Sequence, residues 1–159
     1  MKNFKLSFIA TLTILIVICG CEKEKSIQTI VDDKNITTIA GTWKVVSYDD
    51  LANNTQITKD TNNTWPKSNN GDVIITFQDT IDTGLIDGQT VTNGVSGNYI
   101  LLNPRKIMVQ NFMGTMINQP VWANLFWENF PKSEEYSVNK TQLRIFYNSN
   151  KNSITFEKK

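Results

Sequence analysis

From Gly41 to the C-terminus the chain repeats one pattern, short runs with apolar residues at alternate positions, separated by clusters of Asn, Asp, Gly and Thr. Successive side chains of an extended strand point to opposite faces, so this pattern specifies half-buried β-strands. In "TWKVVSY" Trp43 and Val45 share one face, and Lys44, Val46 and Tyr48 the other. "DVIITFQ", Asp72 to Gln78, gathers Val73, Ile75 and Phe77. Turn residues at Gly84, Asp87-Gly88, Asn93-Gly94 and Gly97 predict short strands joined by tight turns between Asp79 and Asn98. Tyr99–Leu102 and Ile107–Val109 read as a hairpin turning through Asn103-Pro104-Arg105. "EYSVNKTQLRIFYNSNKNSITFEK" supplies three more strands, joined by Asn139-Lys140 and by Asn148 to Asn152.

Two segments depart from this rhythm. Asp49 to Gly71 is rich in Asn and Thr and long for a connection, which predicts a loop or lid with a short strand near Thr55 to Thr58. "NQPVWANLFWENFPKSEE" has Pro120 where helices tolerate it and Pro131 where they stop. At about 100° per residue, Val121, Leu125, Trp122, Phe126 and Phe130 form one broad stripe, with Asn124 and Glu128 opposite. That predicts an amphipathic helix covering the sheet or plugging a barrel end. The expected fold is mainly β (α+β): a small antiparallel meander or partly open β-barrel, with one helix before the last three strands.

The N-terminus addresses location. Lys2 and Lys5 precede an apolar run, Leu6 to Ile18, too short for a comfortable membrane span. Ile18-Cys19-Gly20-Cys21 resembles a bacterial lipobox, which implies cleavage after Gly20 and acylation of Cys21. Buried acyl chains contribute about 0.8 kcal/mol per CH₂, so two or three chains hold a protein on a membrane stably. Residues 1–20 are read as a lipoprotein signal peptide, 21–38 as a flexible tether and 39–159 as the domain. The expected location is the cell envelope, lipid-anchored at the outer membrane on its periplasmic or surface face. Acidic residues just after Cys21 read either as a sorting signal or as part of a solvated linker.

The composition excludes several chemistries. The chain has no His, and of its two Cys one leaves with the signal and the other carries lipid. Cys–His and Ser–His–Asp catalysis are therefore excluded, and the commonest transition-metal ligand is missing. Neither a cofactor nor a metal site is predicted. An enzyme would depend on carboxylates, Lys or Tyr, yet Asp79 with Asp82, or Glu134 with Glu135, have no diagnostic spacing. "DTIDTGLIDG" lacks the regular ligand spacing of an EF-hand loop. Without Lys2 and Lys5 the 16 basic residues fall to 14 against 15 acidic ones, a net charge of −1, and no basic stripe suits nucleic acid.

The Gly41-Thr42-Trp43 opening, the Gly-rich middle and a helix leading into the last strands resemble the META domain of HslJ-like heat-shock lipoproteins. The family pattern falls on Phe126 or Phe130, Tyr136, Val138, Leu143, Ile145, Ile154 and Phe156. The cysteines of many members are absent, Gly114-Thr115-Met116-Ile117 standing in one of their motifs. The resemblance implies a small, non-enzymatic β-domain of the envelope, associated with protein binding or stress. The Gly-x-Trp start also resembles lipocalin-like domains, which implies Trp43 as a barrel floor and an interior for a small apolar ligand. The expected partners are the membrane, through the anchor, and an envelope protein or small apolar ligand. Trp43, Trp65 and Trp127 are the candidate contact residues.

Overall fold

A computed structural model describes residues 38–80, 83–102 and 105–159. The signal and nearly all of the tether, with Cys21, lie outside these residues. Nine strands follow one another as an antiparallel meander: β1 (Gly41–Asp50), β2 (Thr55–Thr58), β3 (Ile74–Gln78), β4 (Gly84–Gln89), β5 (Gly94–Leu102), β6 (Lys106–Gly114), β7 (Glu135–Val138), β8 (Gln142–Tyr147) and β9 (Asn152–Lys158). One helix, α1 (Val121–Asn129), lies between β6 and β7 and continues into a 3-10 turn, Phe130–Lys132. The fold is thus mainly antiparallel β with one helix before the last three strands, as the sequence predicts.

The sheet curls until its ends meet. One edge of β1 pairs with β9 from Trp43 to Asp50; the other is shared by β3, near Gly41–Lys44, and β2, near Ser47–Asp50. Closure is partial, because β6 and β7 pair only at Lys106 and Glu135. The helix fills that seam. Phe112 of β6 contacts Phe126, Trp127 and Phe130 at centroid distances of 6.1, 5.3 and 5.3 Å. From across the ring, Tyr48 meets Trp122 edge-on at 4.7 Å and Phe77 meets Phe130 at 6.1 Å. Trp122, Ala123, Phe126 and Phe130 are fully buried, so the helix supplies the middle of the core. At roughly 1.5–3 kcal/mol per large apolar side chain, these residues are a principal source of stability.

Three expectations need correcting. Tyr48 lies inside with Trp43 and Val45, not on the opposite face. The register with β9 slips between Val45 and Ser47, so Val46 is an extra residue, and a bulge of this kind reverses which parity faces inward. Asp87-Gly88 and Gly97 form no turns: Gly88 lies inside β4 and Gly97 inside β5, beside a second register slip. A Cβ on Gly88 would collide with the carbonyl oxygen of Ile74, so glycine there permits close strand approach. Val121, assigned to the buried stripe, is 60% exposed, because the buried side of α1 is set by Trp122, Ala123 and Phe126 and Val121 lies off it.

Candidate interaction site

The ring has two poles. At the entry pole the described chain enters β1 beside the end of β3 and the start of β4. Gly41 has φ +132°, a conformation that disfavours side chains, and Lys158 occupies the space its Cβ would take. Trp43 is 1% exposed and its indole N–H donates to the Ile39 carbonyl at 2.8 Å. The Lys158 ammonium stands 4.5 Å over that ring and donates to the Ala40 carbonyl at 3.2 Å. Asp79 accepts the hydroxyls of Tyr99 and Thr38, each at 2.5 Å, tying the incoming chain to β3 and β5. Burial, reinforced by the Asp79 carboxylate, pushes the Tyr99 hydroxyl well above the ordinary tyrosine range. A cleft of about 280 Å³ opens beside this pair, between Thr80, Thr83 and Leu101.

The far pole is built on one carboxamide. Asn93, buried in the β4–β5 turn, accepts the Ile117 N–H at 2.7 Å and the Thr115 hydroxyl at 3.0 Å through Oδ1. Its Nδ2 donates to the Ile117 carbonyl at 2.8 Å and to Gln119 Oε1 at 3.0 Å. This clamp fixes the β6–α1 connection while leaving its apolar side chains outside: Met116 is 90% exposed, and Met113, Ile117 and Val121 are also exposed. A cleft of about 250 Å³ lies beneath, lined by Asn118, Gln119, Asn124 and Trp127. The backbone N–H of Trp122 donates to the Asn63 carbonyl at 2.8 Å, which brings the connection carrying Trp65 to the same pole.

The three candidate tryptophans are therefore separated. Trp43 is packed into the entry pole. Trp127 is half-buried against Phe112 at the rim of the far cleft. Trp65, 41% exposed, is the most open of them. None of the three foretold the exposed Met and Ile side chains beside them.

The candidate carboxylates are spread over the sheet. Asp82 lies outside the described residues, Asp79 forms the clamp above, and Asp87 sits in β4 opposite Ser96. Glu134 accepts the Ser149 N–H at 3.2 Å, and Glu135 is the β7 residue opposite Lys106. Glu134 also borders a cleft of about 530 Å³ with Lys132, Tyr147 and Asn148. On the outer face Asp49 is buried, accepting from Thr155 at 2.6 Å, Ser153 at 3.1 Å and Gln56 at 2.8 Å, with Arg144 at 3.9 Å. Burial lowers the pKa of Arg144, while the charge of Asp49 acts in the opposite direction. Among the described residues no three His, Cys, Asp or Glu side chains form a group that could hold a metal ion.

No family model matches the chain, and no curated protein matches it. Its fold is similar to the crystal structure of a DUF4847 family protein from Bacteroides vulgatus, solved at 1.00 Å resolution. The two superpose with a TM-score of 0.55 at 19% identity, over 74% of this chain and 92% of that one. At this identity the likeness concerns the fold alone.

Proposed function

We propose that the chain is a lipid-anchored cell-envelope protein whose META-like domain is non-enzymatic and acts by binding, with an envelope protein as its partner class. The observation that carries the binding part is the filled interior: Trp122, Phe126 and Phe130 occupy the space a hollow carrier would keep for cargo. The anchor rests on Ile18-Cys19-Gly20-Cys21 and the apolar run before it. A second reading, a lipocalin-like binder of a small apolar molecule, draws support from Trp43 at the base of the ring beneath Lys158, and the filled interior counts against it.

Cells fed an alkyne fatty acid are expected to label the protein and return it in the detergent phase. Cys21→Ser is expected to abolish the label and block processing. Labelling that persists in the variant would overturn the anchor. A copurifying small molecule of defined mass, seen by native mass spectrometry, would favour the second reading.

A further inference from the structure

We propose that the far pole is a second membrane contact: Trp65, Met113, Met116, Ile117 and Val121 lie in the interfacial layer of the bilayer to which Cys21 tethers the chain. This rests on the anchoring read above and adds an orientation to it.

Four observations carry it. The apolar side chains are exposed at the end of β6, on the β6–α1 and β2–β3 connections and at the start of α1; Met116 and Ile117 border the far cleft, whose remaining lining is largely polar, with Asn118, Gln119 and Asn124. No charged residue occurs between Lys106 and Glu128, the segment that supplies four of the five. Moving charge out of water would oppose insertion, and this segment carries none; the charges nearest Trp65 in sequence, Lys59, Asp60 and Lys67, belong to the other connection.

The connection also pairs several of its backbone groups within the protein. Thr115 N–H donates to the Gly94 carbonyl at 3.1 Å, Ile117 uses both its N–H and its carbonyl on Asn93, and the Asn118 carbonyl accepts from Thr92 at 3.1 Å. Unpaired backbone groups are what makes irregular loops costly in lipid; these bonds lower that cost, and an insertion of only about 5–10 Å keeps the remaining groups within reach of headgroup water. Trp65 suits this layer, where an amphipathic ring meets headgroups.

The chain outside the described residues is long enough. Cys21 to Thr38 spans at most roughly 55–60 Å when extended. It joins the domain at the entry pole, and the ten residues of β1 cover about 33 Å to the far pole. A lipid at Cys21 therefore allows the far pole to rest on the same surface.

The test uses the lipidated protein, purified from membranes and reconstituted into phosphatidylethanolamine–phosphatidylglycerol vesicles. Its mature form has no free thiol on the anchoring reading, so Met116→Cys and, at the entry pole, Leu85→Cys each take one nitroxide label. Power saturation by oxygen and by a water-soluble nickel chelate reports the surroundings. The expected result is an oxygen-to-nickel accessibility ratio several-fold higher at position 116 than at 85. Equal, water-like ratios in protein that floats with the vesicles would overturn the proposal and leave the anchor standing. Low accessibility to both reagents at 116 would overturn it in favour of a protein contact. Protein that fails to float would remove the anchor and this inference together.

Discussion

The two poles of the ring solve the same problem, holding connections in place, with opposite chemistry. At the entry pole the fixing groups are charged: Asp79 gathers two hydroxyls and the Lys158 ammonium caps an indole. The large aromatic there, Trp43, faces inward, while the smaller Leu85 and Leu102 are exposed. At the far pole the fixing group is the neutral carboxamide of Asn93, and the large apolar side chains face outward. A pole fixed by charge is suited to water. One fixed by a satisfied amide can meet a drier surface, because the fixing group itself has no charge to keep hydrated. Bond geometry is therefore as informative as exposure in telling the poles apart.

The comparison is broken most severely by exchanging one residue type at each pole. Trp43→Ala is expected to cost about 3–5 kcal/mol, the range for emptying a large buried aromatic site. Trp65→Ala is expected to stay within about 0.5 kcal/mol, as for a surface residue. Urea denaturation of both variants checks this. A comparable loss in the two would mean that the far pole is part of the core.

Asn93→Ala sharpens the far pole with a smaller effect. It leaves the Ile117 N–H and carbonyl without their partner, and a lost buried polar partner costs about 1–3 kcal/mol. The β6–α1 connection should loosen before the domain does. Hydrogen exchange at Ile117 is expected to speed up while amides of β8 and β9 keep their protection. Uniform acceleration would show that Asn93 supports the whole ring.

How much of this was legible in the sequence follows from the range of each signal. Period-two alternation is local, and it identified the last three strands and the strand holding Ile75 and Phe77. The bulge at Val46 has no such marker, since a β-branched apolar residue fits a regular strand equally well, and the inward turn of Tyr48 was missed with it. Glycines mark both turns and close strand approach, so Gly88 and Gly97 were misread. Helical periodicity located α1 but not which side of it the ring buries, which decides the exposure of Val121. The pairing of Asp49 with Thr155 and Ser153 depends on the β1–β9 register across a hundred residues, and no local pattern encodes it. The far pole did have a sequence signal, the uncharged stretch from Ile107 to Trp127.

The gentlest break is at the entry pole. Tyr99→Phe keeps the ring that meets Phe77 at 5.3 Å and removes only the hydroxyl on Asp79. The expected loss at neutral pH is about 1 kcal/mol, the net worth of a single hydrogen bond. Its pH dependence is more telling. Burial, then Asp79, raises the folded-state pKa of Tyr99 above the unfolded value near 10, so the fold favours the protonated phenol. That contribution is complete below pH 10 and declines as pH rises through the folded-state pKa. Tyr48, Tyr136 and Tyr147 are shifted the same way, each chiefly by burial. The native chain should therefore lose stability steadily above pH 10, and Tyr99→Phe should lose it less steeply. Equal slopes in the two chains, measured by urea denaturation between pH 8 and pH 11, would mean that the Asp79–Tyr99 bond does not hold the entry pole.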